Sequence, residues 1–216
     1  MEAILSDIET RVLGSLIEKQ VTTPEYYPLT LNALMLACNQ KNNRYPVTSY
    51  SEHQVADALE SLREKNLTYV FYGSTSRVPK YKHVMPEVMH LSHPEMALMC
   101  VLMLRGAQTL GELRGHGGRL HEFSSLEEVE ETLNKLITRD PDPLVARLPR
   151  QPGQKEGRFA HLLSGEINLE TLAIEGERAP SVSSSRRSGL EQKVEELAAE
   201  VQQLKEQFEQ FRKQFE

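Results

Sequence analysis

The sequence predicts an α+β fold that is mostly α-helical. Residues 1–90 read as three helices followed by a β-hairpin, and residues 91–163 repeat that order. After residues 164–189, which lack periodicity, apolar residues recur in steps of four and three from 190 to 216. We therefore expect two tandem winged-helix domains, a flexible linker and a C-terminal coiled-coil helix, with these bounds.

The helices of the first domain are predicted by capping signals and helical periodicity. Ser6 with Glu9 forms an S-x-x-E capping box before an apolar stripe at helical spacing. A second stripe covers residues 31–38, and Ser51 with Gln54 forms another capping box before the third helix. Three helices in this order form the core of a winged-helix domain.

A β-hairpin completes the first domain. Residues 67–72 and 77–83 are rich in β-forming side chains and are separated by the turn-forming residues 73–76. In a winged-helix domain this hairpin is the wing.

The second domain repeats the plan. Gly106 and Gly115 are expected to end its first two helices, Pro141 and Pro143 follow the third, and residues 144–148 and 158–163 form a second hairpin. Its three helix starts carry capping pairs: Ser92 with Glu95, Thr109 with Glu112, and Ser125 with Glu128.

The last segment has a heptad pattern. Such a seam favours a coiled coil and hence a homo-oligomer, most simply a dimer, while the alternative is a single amphipathic helix folded back on the body. The seam residues are Leu190, Val194, Leu197, Val201, Leu204, Phe208, Phe211 and Phe215.

Composition narrows the function classes. The chain has 216 residues and a net charge of −6. The start carries an acid where a signal peptide carries bases, and no apolar run is long enough to span a bilayer, so we expect a cytoplasmic protein without membrane contact. Cys38 and Cys100 lie on apolar helical stripes, which predicts buried thiols used in packing.

The charge distribution argues against insertion of a helix into DNA. Residues 1–90 hold 9 basic and 10 acidic side chains, and residues 91–163 hold the same numbers. On the third helix the face opposite the core carries His53, Asp57, Glu60 and Glu64, and phosphates would repel these carboxylates. The third helix of the second domain displays a similarly acidic face, suited to solvent or a protein partner.

The wing of the first domain is basic, unlike the outward faces of the third helices, because residues 65–83 contain four cations and no acid. This favours contact with duplex DNA through the wing and through the loop before the third helix. As an alternative, the cations of the hairpin form its solvent-exposed face. The asparagines of the loop equally suit turn or helix-cap positions. The DNA-contact candidates are Lys41, Asn43, Arg44, Tyr50, His53, Gln54, Arg77, Lys80 and Lys82.

Nothing in the sequence indicates an enzyme, a cofactor or a metal. The histidines lack zinc-ligand spacing, and no G-x-S-x-G motif or thiol in a basic setting is present. The segment 114–119 is glycine-rich and cationic, as a phosphate nest would be, yet it lacks the P-loop pattern, which favours a flexible turn over a nest. We expect a non-enzymatic regulator, with a protein-interaction adaptor as the alternative.

Several motifs resemble a known family. Residues 13–20 (LGSLIEKQ), 22–29 (TTPEYYPL), 37–44 (ACNQKNNR), 76–81 (SRVPKY) and 110–114 (LGELR) are similar to the YceH-like family of bacterial proteins. The resemblance covers most of the two-domain body. It implies a cytoplasmic bacterial protein with paired winged-helix domains, and it implies no catalytic or ligand-binding residues.

Overall fold

The structure, a computed structural model, describes residues 4–72, 78–150 and 156–165. Within these ranges the fold is α+β, as predicted, with seven α-helices and two small antiparallel sheets. The predicted coiled-coil helix at 190–216, and the predicted linker beyond residue 165, lie outside them. None of the helices in the described ranges has both the length and the hydropathy of a membrane-spanning segment.

The first half begins with the helix predicted from the Ser6 capping box. Both hydrogen bonds of that box are formed, and the Ser51 box is formed as well. The elements are α1 (Asp7–Thr22), a 3-10 turn (Pro24–Tyr26), β1 (Leu29–Thr30), α2 (Leu31–Cys38), α3 (Glu52–Glu64), β2 (Thr68–Phe71), β3 (Lys80–His83) and α4 (Met85–Met89). Strands β1 and β2 flank β3 in one antiparallel sheet. The sequence did not predict β1 or α4, since two and five residues are too short for a period to show.

The second half repeats this order. Its elements are α5 (His93–Arg105), α6 (Leu110–Gly117), α7 (Leu126–Ile137), β4 (Val145–Arg147) and β5 (Phe159–His161). Ahead of α6, Gln108 pairs with Phe159 of β5, as β1 ahead of α2 pairs with β3. The helix α6 continues to Gly117, so the expected end at Gly115 is wrong. An exposed helical glycine costs only about 1 kcal/mol, and the longer helix lets Gly117 pack at the Phe123 ring.

The two halves share one apolar core, whose centre is the packing of α1 on α5. A Cβ at Gly14 of α1 would lie 3.0 Å from Leu104 Cδ2 and 3.2 Å from Met103 Cβ, so the glycine permits the close approach. Every residue of α1 from Glu9 to Glu18 is buried. The helix α5 covers its Gly14 side, and on its polar side Arg11 donates to groups of the loop between α2 and α3, so this stretch is buried all around although its sequence is amphipathic.

Candidate functional site

The hairpin β2–β3 presents an outer face of aromatic and lysine side chains. Tyr69 is paired across the strands with Lys82, and Phe71 with Lys80. Directly opposed residues, and residues two apart on one strand, share a face of the sheet, so the four side chains lie together. The Tyr69 and Phe71 side chains are 60% and 46% exposed, and Lys82 Nζ lies 5.9 Å from the Tyr69 ring centroid.

The opposite face of this hairpin packs on the body. Thr68 and His83 are buried there. The rings of His83 and Tyr27 pack edge to face, with 6.2 Å between their centroids. Burial disfavours the charged imidazole, and the charge of Lys82 adds to this, so the pKa of His83 is lowered to about 4. The hairpin is therefore anchored by its inner side, and the exposed aromatic rings on its outer side are not required by the core.

The loop between α2 and α3 supplies one of the two cations that the sequence suggested, Lys41, but not Arg44. Arg44 is buried, donating to Glu18 Oε2 at 2.6 Å and to the Ala37 carbonyl, and its guanidinium is not accessible to a phosphate. Asn43 has a left-handed φ of 61° and accepts a hydrogen bond from Arg105. Both DNA-contact candidates have structural roles, while Lys41 is exposed.

Of the DNA-contact candidates at the start of α3, two have structural roles and one is exposed. Gln54 accepts hydrogen bonds in its capping box, and the Tyr50 backbone is held by the side-chain amide of Asn39. His53 is exposed beside Asp57 at 3.5 Å. Arg77 lies outside the described residues.

Of the cations around the hairpin, Lys65 is already engaged. Its ammonium donates to Glu9 and to the Ile4 carbonyl. Burial of the Glu9 carboxyl favours its neutral form, but hydrogen bonds from Lys65 and Ser6 outweigh this and lower its pKa to about 2. Lys80 and Lys82 are the lysines left on the strands for a ligand.

The outward faces of the third helix in each half are acidic, as expected. On α3, Asp57, Glu60 and Glu64 are exposed, and on α7 Glu127 and Glu131 are exposed. These faces would repel a phosphate backbone, which leaves the hairpin as the favourable surface for an anion.

A second polar cluster lies where α1, α5 and α6 meet. A cavity of about 90 Å³ there is lined by Glu18, Asn43, Arg105, His116 and Arg119 among others. Sequence reasoning did not assemble this set, because its members come from three separate segments. The glycine-rich cationic segment 114–119 was the available signal. It is largely helical in the structure, so its interpretation as a flexible turn is wrong.

Chemistry by a thiol finds no support in the structure. Cys38 and Cys100 are buried, as predicted, and burial raises the pKa of both, that of Cys38 to about 11, so neither thiol ionises near neutral pH. Spacing along the sequence did not indicate which histidines lie together. His93 lies beside His121, with 3.3 Å between their Nδ1 atoms. In the described part of the chain no group of three or more metal-ligating side chains occurs.

The fold and surfaces thus define an α+β protein with a repeated helix-and-hairpin plan and a basic aromatic hairpin face. A family model described as "Protein of unknown function, DUF480" matches residues 5–154. A UPF0502 protein of Opitutus terrae is 52% identical over 177 residues, covering 82% of this chain and 77% of the relative. UPF0502 proteins of Citrifermentans bemidjiense and Vibrio atlanticus are 53% and 46% identical, covering 90% and 93% of this chain and 90% and 92% of the relatives. The chain belongs to this DUF480 (UPF0502) family of bacterial proteins, as its YceH-like motifs indicated.

Proposed function

We propose that this is a non-enzymatic, cytoplasmic DNA-associated protein that contacts duplex DNA through the outer face of the hairpin β2–β3. The observation that carries the proposal is the pairing of exposed Tyr69 and Phe71 with Lys82 and Lys80, on two strands without an acid. Lysines neutralise phosphates, and the aromatic rings add apolar contact with sugars or bases.

The proposal includes the winged-helix assignment for both halves. In each half a short pairing residue or strand precedes the second helix and joins the last strand of the hairpin, which supports a common plan. Because the outward faces of α3 and α7 are acidic, the wing rather than the third helix would contact the DNA. This differs from the common helix-turn-helix mode, in which a recognition helix enters the major groove. We also propose a homodimer formed through residues 190–216, which would place two hairpins on one duplex.

The experiment is a salt titration of duplex binding by the full chain, followed by fluorescence anisotropy of a labelled random-sequence duplex. For a protein that neutralises phosphates, log K falls linearly with log salt, with a slope of about −0.9 per phosphate contacted. Changing both Lys80 and Lys82 to Ala should weaken binding and make the slope shallower by about 1.8. Lys135→Ala, an exposed lysine on α7, is the matched control and should leave the slope unchanged.

The alternative function is a protein-interaction adaptor, favoured by the exposed acidic faces of α3 and α7. Under that alternative, duplex binding is absent or does not change with ionic strength, and the lysine variants behave as the control does. Either result would reject the DNA proposal.

A further inference from the structure

We propose that the cavity between α1, α5 and α6 is a binding site for the phosphate group of a small anionic ligand. Its polar lining includes Glu18 from α1, Arg105 from α5, His116 from α6 and Arg119 just beyond it. This proposal is independent of DNA binding, which it places on the hairpin β2–β3.

The charges of the cluster leave a cationic surplus. Three arginines, Arg44, Arg105 and Arg119, surround one carboxylate, that of Glu18. Arg44 offsets that carboxylate through a contact of 2.6 Å, and Arg119 Nη2 lies 3.5 Å from the other carboxylate oxygen. Because Glu18 can neutralise only one guanidinium, the equivalent of two positive charges remains at the cavity.

Arg105 is the group most available to an anion. Its side chain is half-buried and donates to the Asn43 side-chain carbonyl, and Arg105 takes part in none of the ion pairs found among the described residues. The pKa of Arg105 is lowered, chiefly by burial. The positive charges of Arg119 and Arg44 lower this pKa as well, while the negative charge of Glu18 opposes the shift. A bound anion would relieve this repulsion among the cations.

His116 adds a third element to the site. Its Nδ1 lies 2.9 Å from Gln108 Oε1, so a neutral ring donates from Nδ1 to the amide oxygen and keeps Nε2 as its second polar atom. Burial lowers the pKa of His116, and the charge of Arg105 lowers it further. A phosphate beside the ring would favour its protonated form, which donates from both nitrogens.

The size and the donor arrangement indicate the ligand class. A cavity of about 90 Å³ is smaller than the cavity of about 150 Å³ that holds benzene, so it accommodates an ionic group and not a nucleoside. Arginine forks bind phosphate oxygens in pairs. Donors from α5, α6 and the turn after α6 approach from several directions, which suits a tetrahedral group better than a planar carboxylate.

The test measures phosphate binding to the full chain by isothermal titration calorimetry, with ionic strength held constant by sodium chloride. Inorganic phosphate should bind saturably. Arg119→Gln should weaken it by about tenfold or more, the loss expected for one charge-assisted hydrogen bond. Arg119 is suitable because its side chain is 59% exposed, so its replacement leaves the core intact. Arg63→Gln, on the exposed side of α3, is the matched control and should bind phosphate as the native chain does.

A second arm identifies the source of the phosphate group. A phosphate monoester that binds more tightly than inorganic phosphate assigns the site to a phosphorylated metabolite, and equal affinity assigns it to the free ion. Arg105→Lys keeps the charge but loses the fork, so it should weaken binding while the circular dichroism spectrum is unchanged. Absence of saturable binding, or equal losses in Arg119→Gln and Arg63→Gln, overturns the proposal.

Discussion

Replacing His83 with leucine should remove part of the acid sensitivity of this protein. His83 is only 5% exposed beneath the hairpin β2–β3, and neither ring nitrogen has a hydrogen-bond partner among the residues that the structure describes. The unfolded chain therefore binds a proton at a pH where the folded protein does not. Acid should destabilise the fold at the inner side of the proposed DNA-binding hairpin.

The magnitude follows from the two pKa values of this group. The ordinary histidine value is 6.5, and the folded value is about 4. Because the folded pKa is depressed, stability is full above pH 6.5, falls as the pH drops below it, and levels off below about pH 4. Between pH 7 and pH 5 the contribution of His83 to the free energy of unfolding should fall by about 2 kcal/mol.

Urea unfolding of the native chain and of His83→Leu at pH 7 and pH 5 measures this contribution. The variant should lose about 2 kcal/mol less than the native chain between these pH values. At pH 7 it should be more stable by about 1 kcal/mol, because two buried nitrogens without partners are replaced by carbon. His53→Leu, at an exposed histidine on α3, is the control and should keep the native pH dependence. An unchanged loss of stability in His83→Leu would refute the reasoning.

Two further predictions concern packing and assembly. Gly14→Val should destabilise the fold by about 1–3 kcal/mol because its side chain would clash with Leu104 and Met103. Gly111→Val, at an exposed position of α6 where a Cβ has no neighbour within 4 Å among the described residues, should change stability by less than about 0.5 kcal/mol; equal effects in urea unfolding would contradict the α1–α5 packing. Deleting residues 190–216 should reduce the mass measured by light scattering from dimer to monomer while the helical signal of the body persists. A monomer mass for the full chain would reject the coiled-coil prediction.

Much of the fold could be predicted because its signals are local. The capping boxes at Ser6 and Ser51 join a side chain to a backbone group three residues away, so they form as the sequence suggests. The short strand β1 was missed, since its two residues are specified only by pairing with β3, fifty or more positions away.

The candidate site was predicted less completely than the fold, because sequence shows which side chains are exposed on a strand but not in a loop. Lys80 and Lys82 lie on a hairpin, where alternation in sequence assigns a face, whereas Arg44 lies in a loop without a period. Its burial depends on Glu18 of α1 and on the Ala37 carbonyl. A cation count therefore cannot separate an arginine that binds a ligand from one that holds a loop.

Local sequence signals specify where α1–α3 and α5–α7 begin, the order of these helices and the two hairpins, and the apolar side of each helix, because these depend on residues within one or two turns of one another. Long-range packing, and no local signal, buries α1 on its polar side as well, places Arg44 inside, and brings Arg105, His116 and Arg119 to Glu18 at one cavity. The cavity arises from packing the second half against the first, which joins side chains about a hundred positions apart, while Arg44 is held within the first half by Glu18 and the Ala37 carbonyl. No local preference specifies such a meeting, since it follows from the burial of apolar surface shared by both halves.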